Sequence, residues 1–159
     1  MFTDQQLYRA FFFYNPETGL LYRQLERNYP VGRLHSQGYL HFNFNGEMLL
    51  VHRIAWIYTH GDIPENLVMD HKNGIRSDNR LENLRLATFQ NNGFNCKLNK
   101  STRSGVKGVS FRKASNSWRA RVNVNGKTVY EECFSSKIYA EIAVKKAREY
   151  YHGEFANHG

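Results

Sequence analysis

The sequence is poor in the residues that build several common architectures. Its 159 residues include only 2 cysteines, Cys96 and Cys133, and 3 prolines. Two cysteines form neither a disulfide framework nor a four-thiolate zinc site, so any metal must be bound by oxygen and nitrogen. With 3 prolines and 12 glycines, the chain is neither a proline-rich linker nor a collagen-like repeat.

Long apolar runs are also missing. No run approaches the roughly 20 residues that a helix needs to cross a bilayer. The start of the chain, MFTDQQLYRA, has no basic stretch followed by an apolar one, as a secretion signal would. We therefore expect a cytoplasmic protein without a membrane partner. Hydrophobic residues make up 41%, with 11 Phe and 10 Tyr, which is enough for a folded core.

Acidic residues are missing from one long segment. Residues 1–92 contain nine basic and nine acidic residues. Residues 93–159 contain thirteen basic and five acidic residues, so the net charge of +8 lies in the second part. Residues 97–127 contain nine basic residues and no acidic one. Cations placed on phosphates release condensed counterions, so this segment is typical of polyanion binding. A solvated basic face that only confers solubility is the alternative.

The first sixty residues predict helices and hairpins. Turn and capping residues mark where the elements begin and end. The predicted elements are a short helix over 7–11 capped by Thr3 and Gln6, a hairpin turning at 15–19, a hairpin of 39–44 and 48–51 joined at Asn45-Gly46, and a helix over 52–59.

The segment VMDHKNGIRSDNRLENLRLATFQNN carries the candidate chemistry. Its pattern predicts a strand ending in Asp70-His71, a turn at Asn73-Gly74, a returning strand over 84–87 and a short helix after Thr88. A carboxylate and an amide oxygen are hard ligands that suit Mg²⁺, and a histidine near neutral pKa can take a proton from water. A strand-end turn with a hydrogen-bonded histidine is the structural alternative.

The second part predicts a three-stranded sheet and a helix. Strand-like segments span 106–113, 117–124 and 127–134, after a polar, basic linker over 96–104. The helix that follows is capped by Ser135 or Ser136. Its predicted apolar stripe consists of Tyr139, Ala140, Ile142, Ala143, Ala147 and Tyr150.

Asp70-His71, Asn83 and Asn92, at these spacings, resemble the HNH nuclease motif of phage and intron-encoded homing endonucleases. The resemblance covers most of residues 1–95 and includes NPETGLLYR, GYLHFNFNG and VHRIAWIYTHG. It implies a ββα-metal unit that binds one Mg²⁺ or Mn²⁺ ion. It further implies that His71 is the general base, that Asp70 and Asn92 are metal ligands, and that Asn83 braces the loop or orients His71.

Other residues of this region keep open roles. Asn79 and Asn91 are the next candidates for the amide roles. His52 belongs to a His-Arg pair common in that family, and it is either a structural histidine or a contact to phosphate or metal. The four cysteines of the zinc-ribbon members are missing, so folding must depend on the apolar core.

Residues 104–156 resemble the plant apetala/ethylene-response-factor DNA-binding domain, which places a three-stranded antiparallel sheet backed by one helix in the major groove. Strand alternation puts Arg119, Arg121 and Asn123 on one face. This chain has Ser110 and Thr128 where the plant proteins tend to have Arg, so their target sequence is not implied. The predicted DNA contacts are Lys107, Ser110, Arg112, Arg119, Arg121, Asn123, Thr128 and Tyr130.

Together these patterns predict an α+β protein with an HNH nuclease domain over 1–95, a basic linker over 96–104 and an apetala-type DNA-binding domain over 105–159. The expected function is metal-dependent cleavage of double-stranded DNA by a homing endonuclease, cytoplasmic in a bacterial host if phage-encoded. No sustained heptad or obligate protein partner is evident, so we expect a monomer. A non-catalytic DNA-binding regulator and an RNA-binding protein are the alternatives.

Overall fold

The structure is a computed structural model that describes residues 3–99 and 101–159. It divides into two compact units, residues 1–89 and 90–159, each described by itself. Short antiparallel sheets and separate helices give the α+β class expected from the sequence. No helix in the described ranges is long and apolar enough to cross a membrane.

The first unit consists of two helices and eight short strands, and both predicted hairpins are present. The strands form the sheets β1-β2-β3, β4-β5-β6 and β7-β8. The elements are α1 (Asp4–Phe11), β1 (Phe12–Asn15), β2 (Leu20–Arg23), β3 (Glu26–Pro30), β4 (Arg33–Leu34), β5 (Leu40–Phe44), β6 (Glu47–Leu50), α2 (Val51–His60), β7 (Val68–His71) and β8 (Leu84–Ala87).

The capping box at the start of α1 is confirmed. Thr3 Oγ1 accepts from the Gln6 backbone N–H, and Gln6 Oε1 accepts from the Thr3 N–H. The core of the unit lies behind β7 and β8, where apolar residues from the first hairpin, from α2 and from both strands meet. Its buried members are Phe12, Tyr14, Leu21, Val51, Ile54, Ala55, Met69 and Leu84. This core fixes the strand end that carries Asp70-His71.

The second unit holds a three-stranded antiparallel sheet backed by one long helix. The strands are β9 (Val109–Arg112), β10 (Ser117–Val124) and β11 (Lys127–Phe134), in the order β11-β10-β9. Helix α4 (Lys137–His152) follows, and its N-cap is Ser136, whose side chain accepts from the Ile138 N–H. A short helix, α3 (Phe89–Phe94), precedes the sheet.

The predicted stripe of α4 is partly wrong. Ala140 and Val144, one turn apart, are fully buried against the sheet, whereas Tyr139, Ile142 and Tyr150 are exposed. The sheet presents Ala120 and two valines at this contact, and small residues on the helix allow the two surfaces to approach closely. The bulky residues therefore face away from the sheet.

Two glycines of the second unit provide a matched test of packing. Gly108 and Gly126 both have positive φ, +76° and +72°. A Cβ at Gly108 would lie 2.6 Å from the Arg121 carbonyl oxygen, whereas one at Gly126 would meet nothing within 4 Å. Gly126→Ala should therefore cost only the strain of a left-handed alanine, about 1–2 kcal/mol. Gly108→Ala should cost about 1–3 kcal/mol more, because backbone must shift.

Urea unfolding followed by Trp118 fluorescence, in a Trp56→Phe background, measures both free energies. Trp118 packs against the core of the second unit and Trp56 against that of the first. Equal losses for the two alanine variants would contradict the close approach of β10 to Gly108.

Candidate active site and nucleic-acid interface

The pairing of β7 with β8 places Asp70 and His71 at the end of a buried strand. In the antiparallel register Asp70 lies opposite Arg85 and His71 opposite Leu84. Asp70 is 5% exposed and His71 4%. A carboxylate and an imidazole are thus held side by side with little access to water.

Arg85 is the counter-ion of Asp70. Its Nε and Nη2 both donate to Asp70 Oδ2, each at 2.8 Å. Arg85 is only 11% exposed, so the ion pair is removed from water, which costs free energy. The two charge-assisted hydrogen bonds compensate for part of that desolvation cost. The sequence interpretation did not include Arg85, although the hairpin register around the turn would have placed it opposite Asp70.

His71 is surrounded by an amide and two rings. Its Nε2 lies 3.2 Å from Asn79 Oδ1. The rings of His52 and Tyr39 approach with centroid distances of 5.1 and 5.9 Å. Burial lowers the pKa of His71, and the hydrogen bond with Asn79 and the Asp70 charge oppose this shift only in part. His71 is therefore neutral near pH 7, as a proton acceptor must be.

His52 is a second buried imidazole of the site. Burial is the main cause that lowers its pKa to about 3, followed by the neighbouring His71 and Arg53. Its ring contacts Tyr39 at a centroid distance of 5.0 Å, and the Arg76 guanidinium covers that tyrosine at 4.9 Å. Tyr39 was missed from the sequence, because no local pattern links it to a site more than thirty residues away.

Asn83 fastens the loop that joins β7 to β8. Its Oδ1 accepts from the Asn73 N–H at 3.0 Å, and its Nδ2 donates to the Asp78 carbonyl at 2.7 Å. Asp78 in turn pairs with Arg80, whose hydrogen bonds lower the pKa of the Asp78 carboxyl to about 2. The Asn83 side chain thus holds the loop, while the side chain of Asn79 contacts His71.

Asp70, the expected metal ligand that the first unit holds, is a hard oxygen donor of the kind that Mg²⁺ prefers. Within the ranges 3–99 and 101–159, no three His, Cys, Asp or Glu side chains converge on a possible metal position. Mg²⁺ keeps several of its waters and takes one or two protein oxygens, so a carboxylate plus an amide oxygen suffices. Asp70 supplies the carboxylate at the end of β7. Asn92 and Asn91 lie on α3, in the second unit.

The outer face of the second unit's sheet, opposite α4, gathers most of the predicted DNA contacts. On β10 the residues of this face alternate with buried Ala120 and Val122. Cross-strand partners add residues of β9 and β11 to the same face. The members predicted from the sequence are Ser110, Arg112, Arg119, Arg121, Asn123 and Thr128.

Two predicted contacts lie elsewhere. The Lys107 ammonium donates to the backbone carbonyls of Phe94 and Cys96, and burial lowers its pKa. Tyr130 lies opposite Val122, on the face that α4 covers, because a bulge between Val122 and Asn123 shifts the register. The Tyr130 hydroxyl donates to Glu132 at 2.7 Å, and burial raises its pKa to about 12.

An acidic residue interrupts the basic outer face. Glu131 lies opposite Arg121, within 3.6 Å of Arg112 and 3.9 Å of Arg119. Strand alternation puts the adjacent Glu132 opposite buried Ala120, on the other face. A carboxylate among arginines weakens the attraction of this face for phosphate.

The comparisons with known proteins concern the segment that holds these residues. Residues 49–94 match the family model of HNH endonucleases, and they include Asp70, His71, Asn83 and Asn92. The chain is 36% identical over 107 residues to protein 3.8 of Escherichia phage T7, an alignment covering 66% of the chain and 86% of the T7 protein. The chain is therefore a relative of the T7 protein, and its residues 49–94 match HNH endonucleases.

One further relative carries the HNH designation in its name. An uncharacterized HNH endonuclease, L560, of Acanthamoeba polyphaga mimivirus is 38% identical over 117 residues, covering 70% of the chain and 57% of the viral protein. Among solved structures, one described as DNA binding and cleavage by the HNH homing endonuclease I-HmuI aligns with a TM-score of 0.47 at 22% identity. That alignment covers 87% of the chain and 79% of the solved chain.

The buried imidazole of His52 predicts acid sensitivity of the first unit. The pKa of His52 is about 3 in the folded chain against an ordinary 6.5, so between these pH values only the unfolded chain binds the proton. The free energy of unfolding should therefore fall as pH decreases below 6.5, by up to about 1.4 kcal/mol per pH unit for one histidine. His52→Phe should remove that share of the slope.

Urea unfolding followed by Trp56 fluorescence, in a Trp118→Phe background, measures the slope between pH 7 and 4. Ile54→Val is the control, because it destabilises the same helix without removing a titratable group. An unchanged slope in His52→Phe would show that His52 is hydrated rather than buried.

Proposed function

We propose that the chain is a site-directed DNA endonuclease of the homing type, in which His71 is the general base. The supporting observation is the pair of buried groups at the end of β7, a neutral imidazole beside a carboxylate held by Arg85. A turn that merely buries a histidine needs no desolvated ion pair next to it. The arrangement suits hydrolysis of a phosphodiester.

In the proposed mechanism the first unit positions a water against the phosphate. Asp70 and Asn92 would hold one Mg²⁺ or Mn²⁺ ion, which neutralises charge on the phosphate and on the leaving 3′ oxygen when bound. His71 takes the proton of the attacking water, and Asn83 keeps the loop around it in place. Hydrolysis then leaves 5′-phosphate and 3′-hydroxyl ends.

Replacing His71 should separate cleavage from binding. His71→Ala should lower the rate of plasmid cleavage by about 10²- to 10⁴-fold, the usual cost of losing a general base. Duplex affinity should stay unchanged, because the excess of positive charge lies in the second unit. His41→Ala is the matched control, since the ring of His41 contacts His35 rather than His71. Cleavage by His71→Ala at the rate of the control would refute the assignment.

Duplex recognition is proposed for the outer face of the β9–β11 sheet. Its arginines can contact phosphates or guanine edges, and Asn123 can pair with adenine. We propose the division into a nuclease domain over 1–95, a linker over 96–104 and an apetala-type domain over 105–159 on the basis of the motifs. With one general base per chain, a monomer would cut one strand at a time.

Adjacent glutamates test which face of the sheet meets DNA. If the outer face does, Glu131→Gln should raise affinity for random duplex about 3- to 10-fold at low salt, because a charge that repels phosphate is lost. The slope of log affinity against log salt concentration should become steeper, as expected for one further phosphate contact. Glu132→Gln makes the same charge change on the other face and should leave both quantities near wild type.

Fluorescence anisotropy of a labelled duplex across a salt series gives both quantities. Equal effects of the two glutamines, or a larger effect of Glu132→Gln, would contradict the proposed face.

A further inference from the structure

The turn between β1 and β2 contacts the loop that precedes β8. Gly19 has φ of +71°, and a Cβ there would lie 2.4 Å from the Arg80 backbone nitrogen and 2.5 Å from the Asn79 carbonyl carbon. The Leu81 N–H donates to the Pro16 carbonyl at 3.0 Å. This turn, residues 15–19, therefore packs against the peptide of Asn79, with no room for a side chain at Gly19.

Tyr14 holds the same peptide from the strand before the turn. Its hydroxyl donates to the Asn79 carbonyl at 2.7 Å, and Tyr14 is 3% exposed. Burial raises the pKa of Tyr14 well above its ordinary value, so the hydroxyl remains a donor. Asn79 is itself 2% exposed. Its backbone is thus fixed by a hydrogen bond and by close packing.

The side chain of this fixed residue reaches His71. Asn79 Oδ1 is a pure acceptor, so at 3.2 Å it requires that His71 Nε2 carry the proton. In a neutral imidazole the lone pair then resides on Nδ1. A catalytic histidine with the wrong tautomer presents a proton where it must accept one.

We propose that Asn79 is a positioning residue that fixes the Nε2–H tautomer of His71, and that Tyr14 and the 15–19 turn hold Asn79 in place for this task. The proposal rests on the proposed role of His71 and makes Nδ1 the atom that takes the proton from water. It also gives the two amides of the loop different roles. Asn79 orients His71, whereas Asn83 holds the loop, because the Asn83 side-chain contacts described above are all to loop backbone.

Three variants of the full chain isolate this role. Asn79→Asp keeps an acceptor for Nε2–H, and Asn79 Nδ2 makes no hydrogen bond that the change would break. Asn79→Leu removes the acceptor at similar volume. Tyr14→Phe removes the hydroxyl that holds Asn79, and Tyr58→Phe is its control, because Tyr58 contacts the Tyr14 ring but donates nothing to Asn79.

Two readouts are compared. The ¹⁵N chemical shifts of the imidazole nitrogens report the tautomer of His71 without any DNA. Steady-state cleavage then gives kcat and KM with Mg²⁺ present. We expect Nε2–H in wild type, Asn79→Asp and Tyr58→Phe, and a mixture of tautomers in Asn79→Leu. Its kcat should fall about 10²-fold, as for a misplaced catalytic group, at unchanged KM. The kcat of Tyr14→Phe should lie between those of wild type and Asn79→Leu.

Wild-type His71 with its proton on Nδ1 would overturn the proposal, as would Asn79→Leu with the wild-type tautomer and rate. If Asn79→Leu does not fold, Asn79→Asp and Tyr14→Phe decide, because an altered tautomer in the first or a wild-type kcat in the second also overturns it. Wild type that has the Nε2–H tautomer but cuts no DNA would uphold the positioning of His71 and refute the proposed function.

Discussion

The antiparallel pairing of β7 with β8 is the interaction on which the candidate site depends. It sets Arg85 opposite Asp70, so a carboxylate can be buried with its counter-ion, and it brings the ends of the loop together for Asn83 to fasten. Without this register Asp70 would lose the two hydrogen bonds from Arg85, and removing one partner of a buried ion pair costs several kcal/mol. The hydrophobic core behind the two strands keeps the register, since a slip of one residue would expose Met69 and Leu84.

Burial lowers the pKa of both histidines at the candidate site, and in acid it opposes stability. The same desolvation that keeps His71 neutral near pH 7 also lowers the pKa of His52, so acid must destabilise the first unit. A histidine whose proton is exchanged during catalysis benefits from neighbours that do not titrate in the same range. Two histidines with lowered pKa values, His71 at the end of β7 and His52 on α2, are therefore in contact, which is more typical of a functional site than of a structural turn.

Features that depend on neighbours in sequence were predicted better than features that depend on contacts between distant segments. Turn residues and strand alternation gave the hairpins, the strands of the second sheet and the segment around Asp70-His71, because each depends on neighbours in sequence. Tyr39 and the hold of Tyr14 on Asn79 were missed, since they depend on packing between remote segments. Tyr130 was misplaced because a bulge reverses the alternation of β11 beyond Val122. On α4, helical spacing alone did not distinguish small residues that approach a sheet from large ones that face away.

The proposed function requires that His71 and the buried carboxylate beside it hydrolyse a DNA phosphodiester. The most direct measurement is the chemistry of the ends left when purified protein meets supercoiled DNA with Mg²⁺, each strand being followed separately on a denaturing gel. The proposed function predicts a nick whose 5′-phosphate and 3′-hydroxyl ends are resealed by DNA ligase without prior treatment. Ends that ligase rejects until a phosphatase and kinase have repaired them, or DNA that stays uncut with Mg²⁺ and with Mn²⁺, would contradict it.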